Sequence, residues 1–84
     1  MHDCFIISRS VTYAQRIVRM LGKAGFISEV KRLPSGIRGV GCGYGVRIKK
    51  STLAGVLEYL KSMDYLSVRV FCEDENGSME ELPQ

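Results

Sequence analysis

Cys42 sits between Gly41 and Gly43, inside the run Gly39-Val40-Gly41-Cys42-Gly43-Tyr44-Gly45. A cysteine that only fills a core has no need of glycine on both sides. Flanking glycines strip steric cover from the sulfur and let backbone N–H groups turn toward an anion or a thiolate. Arg38 and Arg47 lie within a few residues, and a nearby cation raises the thiolate fraction, which is the nucleophilic and persulfide-accepting form of cysteine. Cys42 is therefore the candidate reactive thiol, with Arg38, Gly41, Gly43 and Arg47 as its candidate binding surroundings. The bland alternative is a small residue tolerated in a tight loop. His2, at a terminus, is the only histidine, so no Cys-His hydrolytic pair can be read. Group transfer through one thiol fits better than bond cleavage, and the chain is read as a non-enzyme. The glycine run lacks the lysine and serine of a phosphate-binding P-loop and precedes a strand instead of a helix, which argues against a nucleoside triphosphate.

Cys4 and Cys72 read as packed strand residues. A disulfide between them, or a metal with only two ligands, stays open. The odd cysteine count lacks the spacing of a disulfide framework or a zinc site, so free thiols in a reducing compartment, the cytoplasm, are the expectation, with no bound metal and no permanent cofactor.

The elements that must position Cys42 follow from periodicity. Residues 3–8 are a short apolar run suited to a central strand. Ser10 can cap a helix on which Val11, Ala14, Ile17, Val18 and Leu21 share a face, with Lys23 at its end and Gly25 beyond it. Residues 27–33 read as an edge strand guarded by charge and closed by Pro34. Residues 34–43, with four glycines in ten, are a loop. Alternation resumes over Tyr44–Lys49. Ser51 is expected to cap a second helix striped by Leu53, Val56, Leu57, Leu60 and Met63, within which Gly55 hints at close packing against a neighbour. Val68, Val70 and Cys72 alternate in a last strand. The order is βαββαβ, an α+β, ferredoxin-like arrangement: a four-stranded antiparallel sheet with two helices on one face. The first and third strands form its central pair, and the last lies antiparallel beside the first, which brings Cys4 and Cys72 opposite each other.

Length allows one small core: 84 residues make one domain, here 1–72, followed by an acidic, flexible tail at 73–84. The composition, 45% hydrophobic and 25% charged, is that of a globular chain. No stretch approaches the roughly 20 apolar residues needed to span a bilayer, so no membrane partner is expected. The net charge of +3 hides an asymmetry, because residues 73–84 hold five acids and no base, leaving twelve bases against four acids elsewhere. If Val46, Ile48, Val68 and Val70 face the core, then Arg47, Lys49, Arg69 and Phe71, with Phe5, line the sheet face opposite the helices. That open basic face is a candidate surface for a protein partner or a second copy of the chain, and less so for RNA, since the aromatic signature of RNA-recognition sheets is missing. The acidic tail can alternatively fold onto this face and mask it.

From Ile6 to about Phe71 the chain resembles a small bacterial family described as selenium/sulfur carrier protein-like. The likeness rests on the first strand, the helix beginning near Ser10, Leu33-Pro34, Ile37, the Cys42-Gly43 step and the helix over 52–63, and Cys42-Gly43 is its most specific part. The loop is richer in glycine than the serine-containing version in the family, and the acidic tail stands outside the likeness. The resemblance implies that Cys42 holds sulfur or selenium transiently, as a persulfide or selenopersulfide, between donor and acceptor proteins.

Overall fold

The first strand, β1 (Asp3–Ile7), is flanked on both sides by antiparallel partners, which is why its sequence is almost continuously apolar. A computed structural model describes residues 3–34, 36–37, 41–65 and 68–83. In chain order β1 is followed by α1 (Val11–Lys23), β2 (Glu29–Arg32), β3 (Tyr44–Lys49), a 3₁₀ turn at Lys50–Thr52, α2 (Leu53–Ser62), β4 (Val70–Glu73) and β5 (Met79–Glu81). The sheet runs β2-β3-β1-β4-β5, antiparallel throughout. The first four strands take the expected order, with β1 and β3 central and β4 beside β1.

The expected four-stranded ferredoxin-like sheet is corrected to five strands, because part of the acidic segment pairs with β4. Asp74 makes this possible. Its carboxylate accepts from the backbone N–H groups of Asn76 and Ser78 at 2.8 and 2.9 Å, and Gly77 supplies the positive φ of 83° that closes the turn. The strand is short and mostly acidic, but its backbone satisfies the outer edge of β4, with Phe71 opposite Glu81 and Glu73 opposite Met79. The segment expected to be a flexible tail thus contributes an edge strand.

α1 begins where Ser10 accepts from the N–H of Tyr13 at 3.0 Å, and it ends at Ala24 with Gly25 at φ 91°. The cap expected of Ser51 is not the one formed. Residues 50–52 turn first, Thr52 donates its hydroxyl to the carbonyl of Lys49, and α2 starts one residue later. Gly55 lies under the Phe26 ring, where an added Cβ would come to 3.2 Å, so the close packing read from its presence in a helix is found.

Both helices cover one face. Ala14, Ile17, Leu21, Val56 and Leu60 close over Cys4, Ile6, Val46, Ile48, Val68, Val70 and Cys72 in the main core. Cys4 and Cys72, directly opposite in register, are joined by a disulfide. The expectation of three free thiols is therefore corrected, and the support it lent to a reducing compartment is withdrawn. Among the described residues no helix is long and apolar enough to cross a membrane.

The face away from the helices is not open. Leu33, Ile37 and Met79 pack over Phe5, Ile7 and Phe71, leaving Phe5 only 7% exposed. Ile37 of the glycine-rich loop folds inward here because an uncovered sheet face carrying Phe5 and Phe71 is costly to hydrate.

Candidate functional site

Cys42 is exposed and stands outside the disulfide. Its backbone is pinned from two sides. The Cys42 N–H donates to the carbonyl of Ser8 at 3.1 Å, just past the end of β1, and Gly43 accepts from the N–H of Leu33 at 2.9 Å, just past the end of β2. The thiol itself lies 3.7 Å from the carbonyl oxygen of Tyr44, a weak sulfur contact that leaves its outer side to solvent.

The two flanking glycines have different physical reasons. Gly41 has φ 66°, and a Cβ there would stand 2.5 Å from the Ser8 carbonyl oxygen and 2.9 Å from a methyl of Ile7. It must therefore be glycine both for conformation and for close approach. Gly43 has φ 88° with open space beside it, so only its conformation demands glycine. The turn thus holds the sulfur outward on a backbone hydrogen-bonded to the sheet.

Of the two cations expected beside Cys42, the described residues place only Arg47, and it is committed elsewhere. Arg38 lies outside the described residues. Arg47, five residues further along β3, is opposite Phe5 in register, and its guanidinium donates to Asp3 at 3.0 Å and to Glu29 on β2. Those bonds, to Glu29 first and Asp3 second, hold the Arg47 pKa above its usual value, and the Arg47 bond in turn holds the Glu29 carboxyl below the ordinary range. Arg47 is accordingly a strand-clamping residue, joining β1, β2 and β3, a role no local pattern signals because its partners lie 44 and 18 residues away.

On the other expected surface Arg69 also has a partner within the chain. Arg69 grips Glu81 of β5 with two parallel bonds of 2.7 Å, a planar fork on a carboxylate, and lies over the Phe71 ring at 5.6 Å. This pairing raises the Arg69 pKa and lowers that of Glu81. Of the basic face, the acidic segment thus engages Arg69, while Arg47 is held by Asp3 and Glu29. Phe5 is buried, Phe71 is partly buried, and Lys49 stays exposed at the end of β3. The apolar part of the surface expected to receive a second copy, a partner or RNA, Phe5 and Phe71, is packed against the chain's own Leu33, Ile37 and Met79.

Three residues that line a cleft together with Gly41 carry no role in the sequence reading. Ser8 carries the carbonyl that anchors the cysteine, while its hydroxyl is buried with no partner. Arg9 follows it and packs over the Tyr13 ring at 4.7 Å. Asp64 ends α2 in a left-handed conformation, φ 67°. Ser8 had a legible signal: a polar residue continuing the helix-facing alternation of Cys4 and Ile6. Among the described residues, no group of three histidine, cysteine or acidic side chains is placed to hold a metal.

Residues 3–82 match the family described as putative Se/S carrier protein-like. The match extends through β5, so the acidic strand thought to stand outside the likeness falls within it. No curated protein and no solved structure matches the chain.

Proposed function

The chain belongs to the Se/S carrier protein-like family, and from that premise we propose that Cys42 is the atom-carrying thiol, accepting a sulfur or selenium atom from a donor protein and passing it to an acceptor. The observation that carries this reading is the isolation of Cys42. It is exposed on a glycine-flanked turn, while Cys4 and Cys72 are consumed in a buried disulfide. The chemistry is a displacement with no net oxidation. The Cys42 thiolate attacks the outer sulfur of a donor persulfide, the donor's S–S bond breaks, the donor leaves as a thiolate, and Cys42 holds the new S–S bond. Delivery is the same step with an acceptor nucleophile attacking the outer atom.

In this reading the protein needs no catalytic base of its own, since donor and acceptor enzymes supply activation, and it acts as a carrier and not as an enzyme. The glycines admit a partner's active site. Arg47, committed to Asp3 and Glu29, takes no part. The test is intact-protein and peptide mass spectrometry after incubation with a cysteine desulfurase and L-cysteine. A single sulfur adduct located on Cys42 and absent from Cys42→Ser is expected. An unmodified Cys42 beside a control carrier that does load would overturn the assignment.

A further inference from the structure

A cleft of about 680 Å³ opens at the end of β1, and Cys42's neighbour Gly41 forms part of its rim. Its other walls include Ser8, Arg9, Tyr13, Asp64 and Tyr65. Arg69, paired with Glu81, also lines it, and across the remaining walls opposite electrical signs meet. One wall is the start of the 13-residue helix α1, whose partial positive charge has no acidic residue in the first turn to complement it, and Arg9 adds a full positive charge beside it. The other wall is the end of α2, the negative end of a helix, where Asp64 adds a carboxylate.

Two features of these walls lack a reason in the fold. The Ser8 hydroxyl is buried, with the residue 1% exposed, and has no hydrogen-bond partner among the described residues. It follows Cys4 and Ile6 in the alternation of the strand, so it points to the face where Tyr13, Tyr65 and Val68 close the cleft. A buried hydroxyl without a partner is costly, and a ligand oxygen in the cleft would complete it. Asp64 stands at the position after a helix end where glycine is the default, with φ 67°, and an acid at that end opposes the helix dipole. Both local preferences are set aside at a residue that lines the cleft.

We propose that this cleft binds a small zwitterion of the α-amino acid class. Its carboxylate lies toward Ser8, Arg9 and the α1 N-terminus, and its ammonium lies toward Asp64 and the end of α2. A plain anion would meet Asp64 and a plain cation would meet Arg9, whereas a zwitterion satisfies both walls. The paired rings of Tyr13 and Tyr65, 5.8 Å apart between centroids, offer an apolar surface for a short side chain.

The test is titration of the ¹⁵N-labelled full chain with L-alanine, followed by amide NMR, beside propionate and ethylamine, each of which lacks one of the two charges. L-alanine carries no transferable sulfur, so the outcome is independent of whether Cys42 loads. Saturable shifts at residues 8–13 and 63–65 are expected, with both single-charge probes binding at least about tenfold more weakly, the equivalent of one charge-assisted contact. Asp64→Asn, which keeps the left-handed conformation accessible, and Ser8→Ala, which removes a buried unpaired hydroxyl, should each weaken L-alanine by a similar factor while leaving the spectrum folded. No saturable shift, propionate binding as tightly as L-alanine, or indifference to Asp64→Asn would each overturn the proposal.

Discussion

Removing the Cys4–Cys72 disulfide should cost this domain a large share of its stability. The bridge joins positions 68 residues apart and so closes nearly the whole chain into one loop. The chain-entropy relation for a loop of that length gives about 4.4 kcal/mol of unfolded-state entropy removed at 25 °C. A domain of this length has roughly 4–13 kcal/mol of stability in total. Reduction thus removes a third of it at the least. Because Cys4 and Cys72 sit in the main core, the cleanest perturbation is Cys4→Ala with Cys72→Ala, which avoids burying new hydroxyls.

Two measurements check this together. Alkylation of unfolded protein prepared without reductant should modify Cys42 alone, and alkylation after reduction should modify all three cysteines. Urea unfolding followed by circular dichroism should show the double variant losing about 4 kcal/mol, with a melting temperature lower by roughly 15 °C or more. Cys42→Ala is the control and should leave both values in place, since its side chain is exposed. Three reactive thiols before reduction, or an unchanged urea midpoint in the double variant, would refute the reasoning.

Two further outcomes follow from the geometry. Gly41→Ala combines a left-handed conformation with a Cβ only 2.5 Å from the Ser8 carbonyl, and should cost about 2–4 kcal/mol; Gly43→Ala has the conformation but open space and should cost about 1 kcal/mol, with urea midpoints giving the order. Equal effects would mean that the approach to β1 is not what constrains the turn. Arg47 and Arg69 depress the pKa values of Glu29 and Glu81, so the stability from these pairs is complete above the ordinary carboxylate value of 4.5 and is lost as the pH falls through the lowered values. Denaturant midpoints measured downward from pH 5 should therefore fall less steeply in Glu81→Gln than in the parent, and identical slopes would count against the pairing.

Much of the fold was legible because its strongest signals are local. The apolar run at residues 3–7, the Ser10 cap with its helical stripe, and the alternation of Tyr44–Lys49 each report their own element. β5 was missed because Met79-Glu80-Glu81 has neither the length nor the apolar alternation of a strand. Its only clue was Asn76-Gly77, a hairpin-type turn placed between acids. The disulfide illustrates a different limit. The topology placed Cys4 opposite Cys72, yet the odd cysteine count argued for free thiols, and only the shared register brings the sulfurs together. Arg47 shows the same limit in charge: it was read by its nearness in sequence to Cys42, while its real partners are brought to it by pairing with β1 and β2. Sequence neighbours along a strand diverge by about 3.3 Å per residue, so five residues are enough to carry a guanidinium out of a site.

The pairing of the two buried cysteines also bears on what Cys42 can do. A persulfide is lost when a second thiolate attacks its inner sulfur, forming a disulfide with the protein and releasing hydrosulfide. A carrier thiol therefore benefits from having no other thiol within reach. Here Cys42 is anchored to Ser8 at one end of β1, and Cys4 lies four residues back along the same strand, roughly 13 Å away by strand geometry. Cys4 is also fully buried and Cys72 only 3% exposed. Even after reduction, their burial and this separation would keep both thiols from Cys42 while the fold persists. An atom placed on Cys42 is then not lost to a thiol of the same chain. The glycine turn meets this requirement by holding the sulfur outward, away from Cys4 and Cys72.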